Sequence, residues 1–282
     1  MKKGLIMEGG AMRGLFTAGV IDVMMEHDIV FNGAIGVSAG AVFGCNYKSH
    51  QIGRVLRYNT RFCRDPRFAS VRSLLKTGDL YGADFCYKEI PSKLDLFDTE
   101  TYQKSPMDFY VVCTDVKTGK PVYKNCLTGD DNDIVWMRAS ASMPLVSKIV
   151  SVDGYQLLDG GIADSIPIKK FQELGYQKNV IILTQPLNYV KKKNQMLPLL
   201  RVSLRKYPNL IHTMAHRHEN YNATTAYIRK LERQGKVLVI RPREALHIAR
   251  VEHDPKELKR VYEIGRAEAM SQLDNIRRFL AN

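Results

Sequence analysis

Within its first 50 residues the chain passes twice from a short apolar run, through a tight turn of small residues, into a helical period. Leu5-Ile6-Met7 closes on Gly9-Gly10 and is followed by Leu15 to Glu26, with apolar side chains at Leu15, Ala18, Val20, Ile21, Met24 and Met25. Phe31 to Val37 then meets Ser38 and the small residues Ala39-Gly40-Ala41 before a second helical run. Two strand-turn-helix units in succession predict an α/β fold with a central, mostly parallel sheet flanked by helices. Further strands are expected at Asp108 to Val116, Lys120 to Cys126, Asn179 to Leu183 and Lys236 to Ile240, and a helix from Asn132 to Ala141 that Pro144 stops. Pro186 to Pro208, rich in Lys, Pro and Asn, reads as a surface crossing. An amphipathic helix follows over Asn209 to Arg233, with Leu210, Met214, Tyr221, Ile228 and Leu231 on one stripe, and another runs from Pro255 to Leu280. The chain shows neither an internal repeat nor a dividing linker, so residues 1–282 are expected to form one domain.

Chemistry concentrates at the turns. Gly36-Val37-Ser38-Ala39-Gly40 is a G-x-S-x-G pattern at a strand-to-helix junction. A nucleophile there projects from a strained turn, glycines let strand and helix approach, and the helix start directs unpaired N–H groups at a reacting carbonyl. Glu8-Gly9-Gly10-Ala11-Met12-Arg13-Gly14 forms a second bare turn, whose amides suit an oxyanion. Its other reading, a dinucleotide fingerprint, is disfavoured because Ala11 replaces the middle glycine and the second strand ends in Ser38 rather than an acid. Leu157-Leu158-Asp159-Gly160-Gly161 sets an acid at the end of an apolar run; alone, Asp-Gly-Gly is ordinary turn sequence.

In this order the glycine-rich turn, the G-x-S-x-G and the Asp-Gly-Gly resemble the patatin-like phospholipase family over roughly residues 4 to 185, most closely its compact bacterial members. Ser140-Ala141-Ser142-Met143-Pro144 is similar to the small-residue helix end that precedes the family's Asp-Gly-Gly strand. The resemblance implies a three-layer patatin-like fold, a serine–aspartate dyad of Ser38 and Asp159, and an oxyanion hole in the turn from Gly9 to Gly14. It also implies that the substrate is a lipid carboxylic ester, phospholipid or lysophospholipid. Ala11 stands in place of the usual third glycine; its N–H survives, so the departure concerns only local turn conformation. Beyond residue 185 the resemblance transfers no residue.

Several rival readings remain. A serine–histidine–aspartate triad needs an imidazole from His212, His216, His218, His247 or His253, none in a recognisable strand-end loop. His212, His216 and Glu219 share a helical face, as metal ligands do, but exposed helix residues are the simpler reading, and no metal or cofactor is expected. A non-catalytic lipid-binding or regulatory protein on the same fold would lack a reason to keep Ser38, Asp159 and the bare turn together. The 42 Lys and Arg against 29 Asp and Glu give a net charge of +13. That excess favours peripheral contact with anionic membranes; the basic residues, thickest around Arg54 to Arg72, Lys191 to Lys193, Arg201 to Lys206 and Arg277-Arg278, are too dispersed for a nucleic-acid module. A solvated surface is the simplest account of them. Five scattered cysteines without a C-x-x-C pair, a basic start too short for a secretory signal, and no run of about 20 apolar residues predict a reducing, cytoplasmic setting. Oligomeric state is not legible.

Overall fold

The computed structural model describes residues 1–281, and among these residues eight strands join in one sheet. The first unit is β1 (Lys2–Met7), a 3-10 turn (Ala11–Arg13) and α1 (Gly14–Glu26); the second is β2 (Gly33–Val37) and α2 (Ala39–Lys48). β1 and β2 pair in parallel with Met7 beside Gly36, so both turns open at the same end of the sheet. The later helices are α3 (Arg54–Phe62), α4 (Val71–Thr77), α5 (Thr99–Lys104), α6 (Asp131–Ser140), α7 (Ile168–Glu173), α8 (Leu197–Ser203), α9 (Pro208–Arg233) and α10 (Pro255–Ala281). The later strands are β3 (Asp108–Asp115), β4 (Pro121–Asn125), β5 (Val150–Val152), β6 (Tyr155–Asp159), β7 (Tyr176–Ile182) and β8 (Val237–Ile240). β8, β7, β1, β2 and β3 run parallel in that order, and β4 and β6 pair antiparallel with β3.

Register brings two distant segments together. Tyr110 to Thr114 of β3 pair with β4 along one edge. Tyr110, Val111 and Val112 also pair with β2, and Cys113 and Thr114 also pair with β6. A strand residue has only two edges, so β2 and β6 must share the opposite one. Val37 faces Val112 and Asp159 faces Cys113, the next residue along. The two strands therefore approach head to head, and Ser38 meets Asp159 across 121 residues of sequence.

Alternation along the strands sorts the core into two faces. Leu5, Met7, Val111, Val180 and Ile182 pack with Phe16 and Ile21 of α1, Phe43 of α2 and Val261 and Ile276 of α10. Ile6, Ile35, Val37, Val112 and Ile181 pack with Ile168 and Phe171 of α7 and with Tyr221, Ile228 and Leu231 of α9. The result is the three-layer α/β arrangement expected from the sequence, and the stripe read on the Asn209 helix is the buried face of α9.

Two expectations need correction. Arg54, read as part of a solvated basic stretch, is buried, donating to the Asp95 carbonyl at 2.6 Å and to Asn46 Oδ1 at 3.0 Å. A charge run marks a surface only where no buried acceptor competes for it. The span from Pro186 to Pro208 is not all surface crossing: it contains α8, whose Leu197 and Leu200 pack with Leu210 and Met214 of α9.

Candidate active site

Ser38 sits at φ 56° and ψ −122°, a backbone region that costs a non-glycine residue about 1–3 kcal/mol. The junction around it has no room for side chains. A β-carbon on Gly36 would lie 2.3 Å from the Gly40 carbonyl oxygen, and one on Gly40 would lie 2.3 Å from that of Met7. Both glycines of the motif thus hold α2 against the sheet. Ser140, the last residue of α6, braces the elbow: its Oγ accepts the Ser38 N–H at 2.8 Å and donates to the Val112 carbonyl at 2.6 Å.

The Ser38 hydroxyl donates to Asp159 Oδ2 at 2.6 Å. Asp159 Oδ1 accepts the Gly161 N–H at 2.7 Å, and Gly160 packs against the Val112 carbonyl. Its own backbone is tied on both sides, N–H to the Ser142 carbonyl at 2.8 Å and carbonyl to Thr114 Oγ1 at 2.8 Å. Burial pushes the Asp159 carboxyl above its ordinary pKa, while the Ser38 hydroxyl, the Arg217 guanidinium, the Gly161 amide and the Lys191 ammonium pull it back. None of the five downstream imidazoles hydrogen-bonds Ser38 or Asp159. His212 and His216 stack on each other, 4.4 Å between ring centroids, and His253 bonds the Cys63 carbonyl.

The glycine-rich turn lies directly against the serine, for a β-carbon on Gly9 would be 2.7 Å from that of Ser38. Ala11 takes φ 50°, a left-handed conformation that explains why glycine suits this position. The 3-10 turn narrows the set of candidate donors. Arg13 N–H donates to the Gly10 carbonyl at 3.1 Å and Gly14 N–H to that of Ala11, so these two amides of the Gly9 to Gly14 turn are already engaged. Gly10 and Ala11 amides have no acceptor among the described residues, and the Ala39 amide at the start of α2 is similarly free. Met12 is buried, lining the cleft described below.

Sequence reading missed the supports of this turn. Glu8 is buried, accepting the Thr184 N–H at 2.6 Å and the Tyr221 hydroxyl at 2.7 Å, while Thr184 Oγ1 donates to the Gly9 carbonyl at 2.9 Å. Arg217 of α9 donates through Nε to the Gly161 carbonyl. A charged residue directly after an apolar strand was the one available signal for Glu8.

From Ser38 an apolar cleft, open to solvent, runs beneath the 54–97 segment and α6, lined by Phe43, Tyr58, Phe68, Tyr87, Ile90 and Met137 among others. A serine hydroxyl bonded to a buried carboxylate, bare amides beside it and an apolar cleft thus lie together at the carboxyl ends of parallel strands. The sequence model described as "Patatin-like phospholipase" matches residues 5–171, more than half of the chain, and the chain belongs to that family. A second model, a domain of unknown function (DUF6363), matches residues 207–281. The uncharacterized protein YjjU of Escherichia coli is 29% identical over 93% of this chain and 74% of its own length. Lysophospholipase nte1 of Aspergillus terreus is 26% identical over 61% of this chain, which spans only 11% of that protein. VipD from Legionella pneumophila superposes with a TM-score of 0.48 at 12% identity, over 97% of this chain and 67% of that one.

Proposed function

We propose that this chain is a serine acyl-hydrolase that cleaves carboxylic esters of lipids, phospholipid or lysophospholipid, with Ser38 as nucleophile and Asp159 as base. The observation that carries the reading is the 2.6 Å hydrogen bond from the Ser38 hydroxyl to the buried Asp159 carboxylate. Asp159 takes the hydroxyl proton as Oγ attacks the ester carbonyl, and the carbonyl oxygen becomes an oxyanion facing the Gly10, Ala11 and Ala39 amides. Collapse expels the alcohol, which leaves with the proton from Asp159, and the acyl group remains on Ser38. Water then repeats the sequence, giving its proton to Asp159 and releasing the fatty acid. The apolar cleft accommodates the acyl chain, and the lysophospholipase named among the relatives supports a lipid ester as substrate.

Peripheral contact with an anionic bilayer belongs to the same proposal. Leu187, Val190, Met196, Leu199 and Val202 are exposed apolar side chains interleaved with exposed Lys192, Lys193, Arg201, Arg205 and Lys206. Such a mixture suits a headgroup interface, where each basic residue contributes about 1 kcal/mol. No described helix is long and apolar enough to cross a membrane.

Kinetics on a short-chain ester and on a lysophospholipid test the assignment. Ser38→Ala and Asp159→Asn are each expected to lower kcat by at least about 10³-fold. Alanine at each of the five downstream histidines leaves turnover intact, and a fluorophosphonate probe labels wild type but not Ser38→Ala. Wild-type turnover in either dyad variant, or loss in a histidine variant alone, would reject this dyad.

A further inference from the structure

Among the described residues every buried tyrosine but one has its hydroxyl bonded. Tyr102 donates to the Cys126 carbonyl at 2.8 Å, Tyr176 to Asp108 at 2.6 Å, Tyr221 to Glu8 at 2.7 Å and Tyr262 to Asp22 at 2.6 Å, and Tyr47 bonds the Ile29 carbonyl. Tyr58 of α3 is buried too, 7% exposed, and its hydroxyl has no partner among the described residues. Tyr87, on the π-type helix Phe85–Leu94, is a second phenol without one. Both line the cleft that begins at Ser38, whereas Tyr81, another lining residue, is held by the Arg250 carbonyl at 2.9 Å. Asn59, next to Tyr58 in α3 and also in the lining, is fully buried; its Nδ2 holds the Val55 carbonyl at 2.9 Å while its Oδ1 receives no donor.

These unpartnered groups are neutral, and the charges near them are taken. The two cations in the lining, Arg54 and Arg138, are each paired with a carboxylate, Asp95 and Asp79, both at 3.3 Å. A carboxylate or phosphate carried into the cleft would therefore find its counter-charges already occupied. Burial pushes both phenols far above their ordinary pKa, so each remains an O–H donor around neutral pH. A plain hydrocarbon chain filling the cleft would displace water and leave both hydroxyls unpaired in an apolar medium, which is unfavourable. A hydroxyl on that chain both accepts and donates, and so suits two phenols beside an amide oxygen.

We propose that the cleft is built for acyl chains bearing a hydroxyl group, with Tyr58 and Tyr87 as the specificity-determining residues that bind it. This rests on the hydrolase reading and names the class of acyl group within it. An apolar pocket with a few placed polar groups discriminates through what a wrong ligand leaves unpaired, and here the chain without the hydroxyl is the one penalised.

The test compares nitrophenyl esters in pairs that differ by one hydroxyl, ricinoleate against oleate and β-hydroxypalmitate against palmitate, on the full chain. Wild type should favour the hydroxylated member of at least one pair in kcat/KM by about fivefold or more. Tyr58→Phe and Tyr87→Phe keep the rings and remove only the hydroxyls. Each should lower the favoured hydroxy ester several-fold and raise its plain counterpart, because the hydrocarbon no longer strands a donor; a structural lesion would lower both alike. No preference in wild type for either pair, a preference that survives in both variants, or equal losses on both members of a pair overturns the proposal. If wild type cleaved none of these esters, the hydrolase reading would fall, and melting curves with the corresponding free fatty acids would still decide the cleft. Greater stabilisation by a hydroxy acid, lost in Tyr58→Phe or Tyr87→Phe, supports the proposal; stabilisation that is absent or indifferent to the hydroxyl overturns it.

Discussion

Asp159 is held between opposing influences. Burial favours its protonated form, and the hydroxyl, amide and cations around it favour the carboxylate; burial prevails, so the pKa is raised. A base must be ionised, so turnover is expected to fall with decreasing pH through a pKa above the usual carboxylate range, read from kcat/KM on a neutral ester. Stability runs the other way. A raised folded-state pKa contributes stability that is complete below the unfolded pKa and is lost as pH rises through the folded one. At neutral pH the ionised group is therefore a burden on the fold, and Asp159→Asn is expected to melt at or above the wild-type temperature while inactive. Lys191 supplies a second titration. Facing it are Arg217 and Tyr221 of α9, Glu8 after β1, Arg13 in the 3-10 turn and Arg250 after β8. Burial and the Arg217 guanidinium lower its ammonium to about 8, so it loses its charge as pH rises through that value. Ser38 and Asp159 were legible in sequence because their flanking glycines mark special backbone. Ser140, Arg217 and Glu8 were not, since each acts through a contact with a segment far along the chain.

Among the elements, α10 shows how firmly the C-terminal segment is built into the rest. Gly19 of α1 and Gly265 of α10 let the two helices touch backbone to backbone: a β-carbon on Gly265 would stand 2.1 Å from the Phe16 carbonyl oxygen. Leu258, Val261, Tyr262, Leu273, Ile276 and Leu280 are buried along the same helix. At about 1.5–3 kcal/mol for each such side chain, their burial is on the order of 10 kcal/mol, comparable with the whole stability of a typical domain. Gly265→Leu is expected to lower Tm sharply, and a chain ending at residue 206 is expected to be unfolded by circular dichroism. The strands and long helices were readable because each repeats its apolar period over enough residues. The region from Arg54 to Lys104 was not, since its helices are short and one of them, Phe85–Leu94, is a π-type helix with Pro91 inside, which breaks the 3.6-residue pattern.

For the whole molecule, the sequence disclosed the sum of the charges but not their arrangement. Arg54 is sunk beside Asp95, Arg13 and Arg217 lie against Gly10 and Gly161, and Lys192, Lys193, Arg201, Arg205 and Lys206 remain outside among exposed apolar side chains. Binding to vesicles should therefore increase with anionic lipid and decline at high salt. Leu199→Glu with Val202→Glu should weaken it at least several-fold without changing turnover of a soluble ester. Vesicle binding indifferent to lipid charge and to this pair would remove the membrane contact.

Val37, the residue before the serine, and Asp159 sit on adjacent rungs of β3, so the spacing between the Ser38 hydroxyl and the Asp159 carboxylate is set by a single residue step in the sheet. On the proposed reading the acyl chain meets only the side chains lining the cleft, while the reacting pair is fixed by the sheet. Tolerance toward the tail and constancy at the reacting atoms then coexist, and varying acyl length should move KM far more than kcat.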